Sequence, residues 1–165
     1  MELKLKHQND SEKRKKEIQE KLATGQMTIA EAVGVSKKQL YEIAGRGFQL
    51  LNSGRLEEAR QIYAGLVAAD PYDSVFHCHL AAVLWRLGEI EKACAEYDAS
   101  LRFNFANVDA LSGRGELYLL KGEIKEAIEM LGRSVELDPS GTRPASVRAR
   151  ALLLSLRQAA QKATV

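Results

Sequence analysis

The chain has 165 residues, of which 45% are hydrophobic, and its 24 Lys and Arg against 22 Asp and Glu give a net charge of +2. This length fits one domain, or one domain with a terminal extension, and the apolar content is sufficient for a buried core. No run of about 18 apolar residues is present, which excludes a membrane-spanning helix. The first residues are charged and form no secretory signal, so we expect a cytoplasmic protein.

The N-terminal residues 1–26 are rich in charge. Seven of the first 21 residues are Lys or Arg, five are Asp or Glu, and Ile18 with Leu22 is the only good apolar pair at helical spacing. Such a segment buries little apolar surface by itself. We predict a flexible or loosely helical extension ahead of a domain that covers residues 27–165.

Helix-capping signals follow this extension. Residues 28–31 are Thr-Ile-Ala-Glu and residues 36–39 are Ser-Lys-Lys-Gln, and each segment pairs a hydroxyl side chain with Glu or Gln three residues later. This pattern predicts a short helix that ends near Gly34 and a long helix over residues 37–52. Apolar periodicity between Gly and Pro residues predicts six more helices, over residues 56–69, 74–87, 90–102, 108–121, 124–137 and 143–161.

A repeat of 34 residues relates these helices in pairs. Gly54, Gly88 and Gly122 are each followed two residues later by a branched apolar residue and five residues later by Ala. A period of 34 residues is typical of the tetratricopeptide repeat, a helix–turn–helix unit that stacks on its neighbours. We therefore predict an all-α, right-handed solenoid with three repeats, at about residues 40–73, 74–107 and 108–141.

Residues 142–161 form the last predicted helix, which we expect to cap the stack. Their apolar stripe consists of Ala149, Leu152, Leu153, Leu156 and Ala160. The segment from residue 142 onward holds five basic residues and no acidic one. Such a face could contact nucleic acid or a membrane surface, but no basic stripe interleaved with aromatic residues accompanies it. We expect these charges to solvate a capping helix, because a solenoid needs an amphipathic cover at its end.

The first helix of each repeat lines the concave side of such a solenoid and forms the floor of a groove. Large apolar residues there, above all Phe48, Leu51 and Trp85, add a second apolar stripe to helices that already have a core face. That indicates a groove for an apolar or extended peptide. The alternative is that the N-terminal segment or the last helix packs on these residues. The candidates are Tyr41, Ala44, Phe48 and Leu51 in the first repeat, Val75, Cys78, Ala82, Trp85 and Arg86 in the second, and Asp109, Ser112, Glu116 and Leu119 in the third.

The histidines and cysteines raise the question of a metal site. His77 and His79 are two residues apart and point to different sides of a helix. No second cluster completes four ligands, and Cys78 and Cys94 suit reduced, packed thiols. We also find no paired carboxylates, no phosphate-binding glycine loop and no Ser/His/Asp set. We therefore expect no metal, no cofactor and no catalytic activity.

A closer resemblance covers about residues 27–160. It rests on Leu40 and Tyr41, on residues 52–59 (Asn-Ser-Gly-Arg-Leu-Glu-Glu-Ala), and on residues 70–74 (Asp-Pro-Tyr-Asp-Ser) with Phe76. These segments resemble the class II chaperones of bacterial type III secretion systems. Members of that family are cytoplasmic tetratricopeptide-repeat proteins that hold hydrophobic translocator proteins before export.

The resemblance implies that the concave groove accepts an extended segment of a translocator. By position, the pockets would be formed by Ala44, Phe48 and Leu51 in the first repeat and by Cys78, Ala82 and Trp85 in the second. Family members usually have aromatic residues at all three first-repeat positions, and here only Phe48 is aromatic. The resemblance also implies a homodimer through the N-terminal helical region, at about residues 12–35. The alternative function is a tetratricopeptide-repeat scaffold for other protein partners.

Overall fold

The structure is a computed structural model, which describes the backbone of residues 2–163 and the side chains of residues 12–163. All regular secondary structure in this range is α-helical. The helices are α1 (Glu2–Ala23), α2 (Ile29–Ala32), α3 (Lys37–Asn52), α4 (Leu56–Ala69), α5 (Ser74–Arg86), α6 (Ile90–Phe103), α7 (Val108–Lys121), α8 (Ile124–Leu137) and α9 (Pro144–Ala163). Residues 1 and 164–165, the outer ends of the predicted extension and of the predicted domain, lie outside the described residues.

Polar side chains cap the helices where the sequence predicts it. Thr28 and Ser36 form capping boxes at the starts of α2 and α3. Asp73 accepts hydrogen bonds from the backbone N–H groups of Val75 and Phe76 in the first turn of α5, and Asn107 accepts one from that of Ala110 in the first turn of α7. These bonds satisfy donors that the first helical turn leaves without an intrahelical partner, which fixes the start of each helix.

Three glycines make the turns within the repeats. Gly54, Gly88 and Gly122 have φ values of 79°, 82° and 77°, a left-handed conformation that glycine adopts without strain. Each turn is short, so α3 and α4, α5 and α6, and α7 and α8 pack as neighbouring pairs. The predicted all-α tetratricopeptide-repeat fold is thereby confirmed.

Small residues let the two helices of each pair approach closely. Ala59, Ala93 and Ala127, the alanines of the repeat, are completely buried. At Gly115 an added Cβ atom would lie 2.8 Å from Cγ of Leu131, which leaves no room for a side chain. The repeats then stack, with α4 against α5 and α6 against α7, so one apolar core is continuous from α2 to α7.

The helix α9 covers the end of the stack. It packs on α8 and α7, as α7 packs on α6 and α5, although its contact with α7 is the more extensive, so it occupies the place of the first helix of a further repeat. Of its predicted stripe, Ala149 is buried, Leu152, Leu153 and Leu156 are half-buried, and Ala160 is exposed. The predicted cap is therefore present, but the contact is made by the N-terminal part of the helix.

The N-terminal extension forms one helix, α1, of 22 residues. No extensive packing joins α1 to another helix within the described part of the chain. Just after α1, the backbone at Gly25 lies against the hydroxyl group of Tyr72. Among the described residues, no helix is long and apolar enough to cross a membrane.

Candidate binding groove

The helices α3, α5 and α7 form one continuous surface, because α3 contacts α5 and α5 contacts α7. The predicted groove residues all lie on these three helices. Their exposure differs. Tyr41, Phe48 and Arg86 are exposed; Val75, Ala82, Trp85, Asp109, Glu116 and Leu119 are half-buried; Ala44, Leu51, Cys78 and Ser112 are buried.

Phe48 is a large apolar side chain that this surface exposes to solvent. It is 48% exposed, and its ring makes an edge contact with the His79 ring at a centroid distance of 5.8 Å. His79 in turn stacks on Tyr63 at 5.1 Å with an interplanar angle of 13°. Phe48 is therefore supported from one side and open on the other. Trp85 differs, because it is half-buried and packs against the core.

Tyr41 is held by a charged cluster between the first two repeats. Its hydroxyl donates to Oδ2 of Asp73 at 3.0 Å, and its ring lies 5.2 Å from the Phe76 ring. Lys37 binds both Asp70 at 2.6 Å and Asp73 at 3.0 Å. Burial acts to lower the pKa of Lys37, but its hydrogen bonds to the two carboxylates outweigh burial and raise it. Both the hydroxyl group and the ring of Tyr41 therefore have partners at the rim of the groove.

Arg86 joins the two repeats at the other end of these helices. Its guanidinium group donates a hydrogen bond to the backbone carbonyl of Leu51. That carbonyl belongs to the last turn of α3, where few intrahelical donors are left to bind it. Arg86 thus fixes the spacing of α3 and α5, and Leu51 lies buried beneath it.

The third repeat is covered in part by α9. Ser112 is completely buried, and its hydroxyl donates to the backbone carbonyl of Ala145 at 2.9 Å. Glu116 pairs with Arg148 of α9 at 3.3 Å. The sequence placed Ser112 on the groove floor, but α9 packs over it, so it is not accessible to a ligand. One alternative from the sequence was that the last helix packs on the apolar residues around Phe48. Instead, α9 packs on the third repeat and leaves Phe48 exposed.

A cleft of about 200 Å³ lies between α5 and the start of α7. Its wall includes Val75 and Cys78, which the sequence predicted, and His79 and Asn104, which it did not. Burial raises the pKa of the Cys78 thiol, so this cysteine stays protonated. His79 is one helical turn after Val75, and that spacing is the signal that could have identified it.

A second cleft lies at the N-terminal end of the stack. It has a volume of about 360 Å³ and an almost entirely apolar wall formed by α2, α3 and α4. Ile29 and Val33 at its edge are 52% and 69% exposed. Exposed branched side chains around an apolar cleft are a feature of protein–protein contact surfaces. Within the described residues, no group of three or more His, Cys, Asp or Glu side chains could hold a metal ion.

Two family models of the tetratricopeptide repeat match residues 74–99 and 108–140. The low calcium response locus protein H of Yersinia pestis is 27% identical over 135 residues, which cover 78% of this chain and 80% of that protein. The type III secretion translocator chaperone SycD of Yersinia enterocolitica superposes with a TM-score of 0.68 at 26% identity, over 78% of this chain and 98% of that one.

A further structure contains SycD of Yersinia enterocolitica in complex with a peptide of the translocator YopD. It superposes with a TM-score of 0.64 at 25% identity, over 75% of this chain and 96% of that one. These similarities confirm the resemblance that the repeat junctions indicated. The chain is thus similar, in sequence and in fold and over most of its length, to the tetratricopeptide-repeat chaperones of type III secretion translocators.

Proposed function

We propose that the chain is a cytoplasmic bacterial chaperone. It binds an extended segment of a hydrophobic type III secretion translocator and keeps that protein soluble and competent for export. The observation that carries the proposal is the similarity to SycD, whose structure is known with a peptide of the translocator YopD. The chain acts by binding alone, without catalysis or a cofactor.

The binding site is the surface of α3, α5 and α7. Phe48 offers an open apolar face, and Val75, Ala82 and Trp85 are half-buried beside it on α5. Ala44, Leu51 and Cys78 form the floor, while Tyr41, Arg86, Glu116 and Leu119 form the rim. Apolar side chains of a bound segment would remove this surface from water, which stabilises the complex by roughly 25 cal/mol per Å² of apolar area.

The N-terminal region serves a different partner, a second copy of the chain. The apolar cleft beside Ile29 and Val33 supports a homodimer formed through this region. Residues 1–26 then act as an extension, and residues 27–165 form the repeat domain with its capping helix. Sedimentation of the chain and of the Val33→Asp variant tests this, since a charge in the cleft should yield monomers.

Co-expression with a translocator tests the chaperone function. We expect the wild-type chain to keep a YopD-type translocator in the soluble fraction and to be recovered with it. The Phe48→Ala variant should lose this ability, while Ile128→Ala, which truncates a side chain of similar exposure (47%) on α8, should retain it. Recovery of the translocator by both variants would show that the binding site lies elsewhere on the chain. Recovery of only soluble, folded partners would favour the scaffold function.

A further inference from the structure

His79 is held in one orientation by three neighbours. Its ring stacks on Tyr63 and makes an edge-type contact with the ring of Phe48. Its Nδ1 atom lies 2.8 Å from the backbone carbonyl oxygen of Val75, one helical turn earlier. These contacts come from α3, α4 and α5, so three helices together orient the ring.

The hydrogen bond to Val75 determines which ring nitrogen carries the proton. A carbonyl oxygen only accepts, so Nδ1 must donate, and in the neutral ring Nε2 is then the acceptor. No hydrogen-bond partner of Nε2 is found among the described side chains. In the same part of the chain, no buried side-chain nitrogen or oxygen lacks a partner, so Nε2 is in contact with solvent.

His79 is half-buried and is one of the residues that line the cleft between α5 and α7. An extended segment that binds there exposes one backbone N–H group every residue, and each of these donors loses its water on binding. A donor that stays unpaired costs free energy, so a preformed acceptor on the cleft wall favours binding. His79 supplies that acceptor beside the apolar surface of Phe48.

We propose that Nε2 of His79 accepts a hydrogen bond from one backbone N–H group of the bound segment. This inference rests on the proposed function and adds a specificity rule to it. The residue of the segment that faces His79 must carry an N–H group, so proline is rejected at that position. The apolar pockets select side chains, while His79 sets the register of the backbone.

The test uses overlapping synthetic peptides that tile YopD, with the tightest binder then N-methylated at one amide at a time. N-methylation of the amide that faces His79 removes its donor and should weaken binding to the wild-type chain by about 2- to 12-fold. In the His79→Phe variant, which keeps the stacked ring without the acceptor, that same methylation should cause no additional loss. Steric effects of methylation elsewhere should be equal in both proteins.

Two variants separate the acceptor from the shape of the ring. We expect His79→Phe to bind the unmethylated peptide about 2- to 12-fold more weakly than wild type. His79→Gln places an amide oxygen near the position of Nε2 and should bind better than His79→Phe. Thermal melting of both variants checks that the fold is intact.

Wild-type affinity in His79→Phe, or an unchanged cost of every N-methylation in that variant, would overturn the inference and leave the chaperone function standing. If the Phe48→Ala variant also binds the peptide with wild-type affinity, the proposed groove is not the binding site. If no YopD peptide binds at all, both the groove function and the role of His79 fail together.

Discussion

His77 and Glu96 connect the two helices of the second repeat: Nδ1 of His77 lies 2.6 Å from Oε2 of Glu96. The other ring nitrogen, Nε2, lies 2.9 Å from the backbone carbonyl oxygen of Pro71, in the junction between the first and second repeats. Both partners are acceptors, so both ring nitrogens donate when the ring is protonated and positively charged. One side chain thus joins α5, α6 and the repeat junction.

The charge of His77 predicts a pH-dependent stability. Burial acts to lower the pKa of His77, but the hydrogen bonds to Glu96 and Pro71, with the charge of Glu96, outweigh it and raise the pKa. Stability from this group is fully present below about pH 6.5, the ordinary pKa of an unfolded histidine, and is lost as pH rises through the higher folded value. The melting temperature should fall over that interval.

The His77→Phe variant provides the control for this effect. Its phenyl ring would be unable to titrate and would still pack near Phe103, which lies 5.5 Å from the His77 ring. We expect the melting temperature of this variant to change less than that of wild type as the pH is raised. Equal slopes for the two proteins would show that another group is responsible.

Two glycines should respond in opposite ways to substitution by alanine. A Cβ atom at Gly113 would lie 2.3 Å from Cζ of Tyr97, whose side chain is buried. We expect Gly113→Ala to lower the free energy of unfolding by about 1–3 kcal/mol, because the ring has no space to move. Gly132 in α8 has no atom within 4 Å of an added Cβ, so Gly132→Ala should be neutral or stabilise by up to about 1 kcal/mol.

Chemical denaturation measures both free energies. A destabilised Gly132→Ala together with a stable Gly113→Ala would contradict the packing of α6 against α7 as described.

Phe48 and Trp85 should differ in their effects on stability. Trp85 packs against the core, and truncation of a buried Trp costs about 3–5 kcal/mol, so Trp85→Ala should lower stability by about 2 kcal/mol or more. Phe48 is half exposed, so Phe48→Ala should change stability by about 1 kcal/mol or less. Both variants should bind translocator peptide more weakly. Similar losses of stability in both would place Phe48 in the core.

Removal of residues 1–21 should leave the repeat fold intact. The helix α1 has no extensive packing against another described helix, and the side chains of residues 12–17 are all exposed. We expect the truncated chain to keep the melting temperature of the full chain within a few degrees, and circular dichroism should show lower total helicity. Unfolding of the truncated chain would show that the extension packs into the solenoid.

The sequence was informative about the fold because its signals are local. Turn glycines such as Gly54 and caps such as Asp73 fix where helices end, and the helices from α3 to α8 agree with prediction to within one residue. The groove was harder to predict, because exposure depends on contacts between distant segments. Ser112 is buried by Ala145, and His79 is oriented by Tyr63, and neither contact leaves a trace in the local sequence.

The position of α9 bears on how a repeat could be added to such a protein. This helix contacts α8 and α7, and just before it the guanidinium group of Arg143 lies 2.8 Å from Asp109 of α7, which is one repeat length of 34 residues earlier. The surface that α8 presents is therefore one that another helix pair also fits. A duplicated unit inserted after Asp138 would meet its usual neighbours on both sides. We expect a repeat inserted at this point to lengthen the groove while the contacts on both sides of it keep their present residues.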